Sequence, residues 1–251
     1  MPKARIAKSK ELPGTAGLLR QNAILNGLDE KAIARILPSC RVGELRIREK
    51  IYEPEQPIRQ VYFAIRCVIS VVSQMKNGSQ IEIGTIGREG MSAFPLLMGA
   101  SATANDSYCQ VPGMAVTMSV DVFRGLSQSN RAFRQQLDRY LQAYVNVLGQ
   151  LAACNRLHNV YERCSRWLLM THDRVNRDDI PLTQEYLAMM LGTNRSGVTL
   201  ASGVLQQSGF IRYAHGVIRI LDRVGLENAS CECYEVASEQ FGGLLRSIKS
   251  P

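Results

Sequence analysis

Between Phe133 and His158 the apolar residues fall at Phe133, Leu137, Tyr140, Tyr144, Val147, Leu151, Cys154 and His158, in an unbroken alternation of four- and three-residue steps. A strand, whose side chains change face at every residue, cannot satisfy that rhythm; a long helix can. The stripe is as narrow as a coiled-coil seam, narrower than that of a helix lying on a core. It predicts a helix pairing with its own copy, with these eight residues at the interface of a homodimer. A helix packed on its own domain is the alternative. Either way, a long helix divides the chain in two.

The upstream half reads as β. "KIYEPEQPIRQVYFAIRCVISVVSQMKNGSQIEIGTIG" holds short β-branched and aromatic runs, Val61–Ile65 and Val68–Val72, with Lys76-Asn77-Gly78-Ser79 as a hairpin signal. Short strands with frequent turns over residues 40–120 suggest a sandwich, roll or barrel. Leu18, Leu19, Ile24, Leu25, Leu28, Ile33 and Ile36 predict one or two short helices covering it. Ahead of them Lys3, Arg5, Lys8 and Lys10 are followed by no apolar run, so residues 1–17 read as a basic flexible tail and not as a secretory signal.

Downstream, a helix is expected over Val160–Val175 with Trp167, Leu168 and Leu169 inward, then an extended link through Arg177–Pro181. Thr183 can cap a short helix with Leu187, Ala188 and Leu191 on its apolar side, and Gly192 can make the left-handed turn that stops it. Thr193 or Asn194 then caps a second helix. On a helical wheel Val198, Ala201, Val204 and Leu205 share one side, while Arg195, Thr199, Ser202 and Gln206 cluster on another. A helix, a glycine turn and a helix with a hydrogen-bonding outer face is helix-turn-helix geometry. "FIRYAHGVIRILD" adds two strands, Phe210–Tyr213 and Val217–Leu221, as a wing.

From Tyr186 to Leu221 there is not one Asp or Glu, within a chain of net charge +8. That is the electrostatic footprint of a surface facing phosphates. Arg195, at the start of the second helix, can reach a guanine edge with both guanidinium arms, with Ser196 and Thr199 beside it as further base readers. Arg212, His215 and Arg219 on the wing suit phosphate contacts.

"LTQEYLAMMLGTNRSGVTLASGVLQQSGFI" resembles the winged helix-turn-helix of the Crp–Fnr superfamily, and the resemblance extends over about residues 18–225. It implies an α+β protein: an N-terminal, jelly-roll-like β-roll, a long dimerisation helix and a C-terminal winged helix-turn-helix. It implies a cytoplasmic homodimeric transcriptional regulator binding palindromic promoter sites in double-stranded DNA, with RNA polymerase as a further partner. By family position it places Thr183, Gln184 and Asn194 near phosphates. The expected segments are 1–17 tail, 18–125 cyclic-nucleotide-binding-like sensor, 126–158 dimerisation helix, 159–225 DNA-binding domain and 226–251 helical extension. In the extension Val224, Ala229, Cys233, Val236, Phe241 and Leu244 recur at helical spacing.

The sensor departs from the pattern of cyclic-nucleotide binders, which place a Gly-Glu about ten residues before an Arg-Ser or Arg-Thr. "GREGMSAFPLLMGASATANDSY" has Arg88 and Glu89 out of place and Ala104-Asn105-Asp106 where the arginine belongs. A phosphate buried without a cation is costly, so no useful cyclic AMP binding is expected. Any effector pocket would draw on Arg88, Glu89, Met91, Phe94 and Leu97. The N-terminal cysteine cluster of iron–sulfur members is missing, and no histidine precedes His158 to hold a haem.

Seven cysteines without framework spacing read as reduced thiols. Cys231-Glu-Cys233 is the one close pair, and with no second ligand pair nearby in sequence neither a metal nor a cofactor is expected. No catalytic triad, metal motif or phosphate-binding glycine loop stands out, so an enzyme is not expected. No run of about 18 apolar residues occurs, so no membrane partner is expected. A sensing module with protein–protein output is the alternative to a DNA-binding regulator.

Overall fold

The computed structural model describes residues 14–245. The basic stretch Lys3–Lys10 lies outside them. The first helix begins within the segment expected as a tail: α1 (Thr15–Leu19) leads to α2 (Ala23–Asn26) and α3 (Glu30–Ile36). Asn22, fully buried, caps α2 through its side-chain oxygen and donates its amide to Ala64 O and Gly90 O at 2.9 and 2.7 Å. One buried amide thus pins the helical cover to the barrel beneath, with its bonds satisfied as burial demands.

That barrel is the expected β-roll. Strands β1 (Arg41–Leu45), β2 (Lys50–Tyr52), β3 (Gln60–Ala64), β4 (Val68–Gln74), β5 (Gln80–Ile86), β6 (Asp106–Val111) and β7 (Gly113–Ser119) form two antiparallel sheets, ordered β1-β7-β3 and β2-β6-β4-β5. The β4–β5 hairpin turns at Asn77-Gly78, where Gly78 takes φ 84° and Asn77 Oδ1 accepts from Ser79 N at 3.0 Å. β4 is buried on both faces from Val68 to Val72, which suits its β-branched run. Val61, Phe63, Ile69, Ile86, Cys109 and Val116 fill the interior.

Ser119 caps α4 (Val120–Ser129) and Asn130 caps α5 (Arg131–Leu157). α5 is the long helix, 27 residues, and most of its seam is buried within its own chain. Phe133, Leu137, Tyr140, Tyr144, Val147 and Cys154 are buried against their own chain, and Leu151 and His158 are partly buried. The expected self-interface is therefore core. The reason is the β-roll surface: Gly84 and Gly90 carry no side chain where the Tyr144 and Tyr140 rings press in, so the helix approaches the backbone closely. Tyr140 donates to Met91 O at 3.1 Å, and Phe133 meets Phe123 edge-on at 6.0 Å. A narrow stripe reads alike whether its partner is a copy or a sheet. Flanking the buried stripe, Leu141, Val145, Leu148 and Ala152 follow the same three- and four-residue steps; Leu148 packs on the roll core beside Gly84, Leu141 is partly buried, and Val145 is 53% exposed.

After α5 come α6 (Val160–Val175), β8 (Asp179–Pro181), α7 (Gln184–Leu191), α8 (Arg195–Gln207), β9 (Ile211–Ala214) and β10 (Val217–Ile220). The extended link is a true strand: β8 pairs with β10, making the wing a three-stranded sheet, β8-β10-β9. α9 (Arg223–Asn228) and α10 (Cys233–Leu245) follow. α10 lies along α5 and buries Cys233, Ala237, Phe241 and Leu244; of the apolar residues expected inward, Val224 is exposed and Leu226 takes its place.

Candidate nucleic-acid interface

Thr183, exposed, caps α7 by accepting from Tyr186 N at 3.2 Å. Gly192 ends that helix at φ 58°, a left-handed conformation that a residue with Cβ adopts at a cost. Asn194 caps α8, its Oδ1 accepting from Gly197 N at 2.7 Å. Cap, glycine stop and second cap thus set the angle between the helices from local chemistry. Gly192 also rests on the Ile81 side chain of β5, which seats the turn against the β-roll.

α8 buries Val198, Ala201, Ser202 and Leu205. Two wheel assignments are corrected: Ser202 is inside, its hydroxyl bonded to Val198 O at 2.8 Å, and Val204 is 47% exposed. The buried stripe is rotated because α6 and β9 cover α8 together. The exposed face carries Arg195, Ser196, Thr199 and Leu200. Thr199 Oγ1 donates to Gln184 Oε1 at 3.1 Å, joining the two helices across the turn, and Ser196 Oγ lies 3.3 Å from Asn194 Oδ1. Arg195 pairs with Glu185 at 3.2 Å, both largely exposed, so the pair is weak and the guanidinium is free to swing. Leu200, 72% exposed, was missed on the wheel; a bare leucine amid polar neighbours is the signal that could have marked it, since an apolar tip contacts a thymine methyl.

On the wing, His215 and Gly216 both take left-handed backbone between Ala214 and Val217, as a two-residue turn requires. Arg212 and His215 are exposed. Arg219 is committed: it forms a two-armed ion pair with Asp179 on β8. It is not the free phosphate contact expected, because the strand pairing puts an acid from outside the acid-free stretch directly opposite it.

The residues expected to line an effector pocket do not meet around one. Glu89 is buried and ion-paired with Arg174 of α6, Nε to Oε1 2.8 Å, while accepting from Gly87 N at 3.0 Å. Arg88 flanks it at a cavity of about 30 Å³ also lined by Met170, Tyr234 and Phe241, whereas sites for drug-sized ligands run to roughly 300–1,000 Å³. Met91 is core, and Phe94 lies 4.9 Å from the Tyr144 ring. Leu97 is partly buried on the same short 3₁₀ helix, Phe94–Met98. Asp106 is buried 3.5 Å from Lys50.

A second junction joins the β-roll to the helix-turn-helix half. Glu82 on β5 accepts from Ser70 Oγ at 2.6 Å, Gln110 Nε2 at 3.0 Å and Trp167 Nε1 of α6 at 3.0 Å. Burial pushes its carboxyl up to about 7 despite these bonds. Neither junction was legible in the sequence: Glu82 read as an ordinary strand acid, and Glu89 as a candidate for an effector pocket.

A family model described as the Crp-like helix-turn-helix domain matches residues 162–229. No curated protein matches the chain significantly. Among solved structures, a crp/fnr-family transcriptional regulator from Eubacterium rectale is similar at TM-score 0.63 and 14% identity, covering 83% of this chain and 98% of that one. A CRP-family transcriptional regulator from Thermus thermophilus is similar at TM-score 0.63 and 18% identity, over 75% of this chain and 96% of that one. FixK2 from Bradyrhizobium japonicum gives TM-score 0.60 and 12% identity, over 76% and 98%. No helix among the described residues is long and apolar enough to cross a membrane. The chain thus carries a Crp-like helix-turn-helix domain over residues 162–229, set in the fold that these solved Crp/Fnr-family regulators have.

Proposed function

We propose that the protein regulates transcription as a homodimer on palindromic DNA, each α8 entering the major groove of one half-site, the half-sites about 34 Å apart. The observation that carries this reading is the exposed face of α8, where Arg195, Ser196, Thr199 and Leu200 reach solvent and the one acid beside them, Glu185, holds Arg195 only in an exposed pair. Arg195 reads a guanine, Leu200 a thymine methyl; Thr183, Gln184, Asn194, Arg212 and His215 hold phosphates. The two copies meet through the flank of α5 that carries Leu141, Val145, Leu148 and Ala152; the 53% exposure of Val145 beside the partly buried Leu141 and Leu148 supports that pairing.

DNA binding in this reading does not depend on a cyclic nucleotide. The Glu89–Arg174 pair, the buried Asp106 and the small cavity beside Arg88 support that part.

The test is affinity on a selected palindrome and on random duplex. Arg195→Ala is expected to cost about 1–3 kcal/mol on the palindrome and to relax preference at one base pair. An equal loss on random DNA would remove its base-reading role.

A further inference from the structure

Cys154 and His158 sit one turn apart near the C-terminal end of α5, and the extension brings Cys231 and Cys233 onto them. The three Sγ atoms and one ring nitrogen all lie within 4.8 Å of one another. Cys154 Sγ is 3.5 Å from Cys231 Sγ, and Cys233 Sγ is 3.5 Å from His158 Nδ1. Donors around a tetrahedral zinc, with bonds of about 2.3 Å to sulfur and about 2.0 Å to nitrogen, stand roughly 3.5–3.8 Å apart. The group is therefore close to the size of a single-ion site, and too tight for several irons.

The surroundings point the same way. His158 Nε2 lies 3.2 Å from Glu232 Oε2 while Nδ1 faces Cys233 Sγ at 3.5 Å, so the tautomer protonated on Nε2 would turn its Nδ1 lone pair to the sulfurs. A carboxylate behind a histidine is the arrangement that orients a metal-binding imidazole. Gln150 Nε2 donates to Cys233 Sγ at 3.1 Å, a bond suited to a thiolate. The buried guanidiniums of Arg163 and Arg166 act electrostatically on Cys154 and Cys231, which offsets part of the net negative charge of three thiolates around a divalent ion.

We propose that Cys154, His158, Cys231 and Cys233 form a Cys₃His site for one thiophilic divalent cation of the zinc class. It fastens the C-terminal extension to the joint between α5 and α6. His158 ends α5 and Asn159 caps α6, so the ion holds the point where the DNA-binding half departs from the long helix.

The experiment uses the full chain, purified reduced without added metal, with metal content by mass spectrometry and cobalt(II) titration of the stripped protein. Expected are one bound ion per chain and thiolate-to-cobalt charge-transfer absorption with tetrahedral ligand-field bands. Cys231→Ser should abolish those bands while circular dichroism stays native, and His158→Cys should keep them in shifted form. The chelated protein should melt at lower temperature and regain its transition on adding zinc. The proposal is overturned by cobalt spectra that Cys231→Ser leaves unchanged. Visible absorption of a multi-iron cluster overturns it, as does a Cys154–Cys231 disulfide in the anaerobically purified chain.

Discussion

Replacing Glu89 with alanine strikes the one ion pair among the described residues that is buried on both sides, with side chains 2% and 5% exposed. Arg174 would keep a marginal bond to Met170 O at 3.4 Å, the Phe241 ring 5.8 Å away and a longer-range attraction to Glu82. Breaking a buried pair from one side strands the other charge and costs about 3–5 kcal/mol. In a chain of this size each kcal/mol moves the melting temperature by about 2–4 °C, so a fall of roughly 6–20 °C is expected. Urea unfolding can be followed twice, by circular dichroism and by Trp167, the sole tryptophan, which sits at the neighbouring Glu82 junction. Because Glu89 joins the β-roll to α6, the two probes should separate in the variant and coincide in the parent. Glu89→Ala with Arg174→Met removes both charges and should recover most of the loss, since an apolar pair of similar volume is often neutral. A single-variant cost below about 1 kcal/mol, or a double variant worse than the single, would refute the argument that the stranded guanidinium is the cause.

Three further outcomes are expected. Arg212→Ala should lower the slope of log affinity against log salt by about one, and Arg219→Ala by less, because Asp179 already neutralises it; equal slopes would place Arg219 on phosphate after all. Val145→Glu should give a folded monomer in sedimentation, whereas Tyr144→Glu, 2% exposed in the parent residue, should unfold the chain; a persistent Val145→Glu dimer would move the interface off α5. Burial raises Glu82 from 4.5 to about 7, so the folded protein holds a proton that the unfolded chain releases. Its stabilisation is fully present below pH 4.5 and is lost as pH rises to 7, by at most about 3 kcal/mol. Glu82→Gln should flatten urea stability over that window, and an unchanged slope would assign it to other groups.

The DNA-reading half was legible because its signals are local. A cap at Thr183, a left-handed glycine at 192 and a second cap at Asn194 fix helix, turn and helix within a few residues of one another. The hairpin at Asn77-Gly78 was legible for the same reason. The sequence alone also determined that one long helix runs from Phe133 to Leu157, with His158 as its cap, since no other structure fits that spacing. What it faces was decided only in three dimensions, where the bare backbone at Gly84 and Gly90 admits Tyr144 and Tyr140. The same holds for Asp179 against Arg219, for Glu89 against Arg174, and for Cys154 and His158 against Cys231 and Cys233. Each joins residues from separate elements, and a linear spacing records the rhythm of one element without naming the surface that another will bring to it.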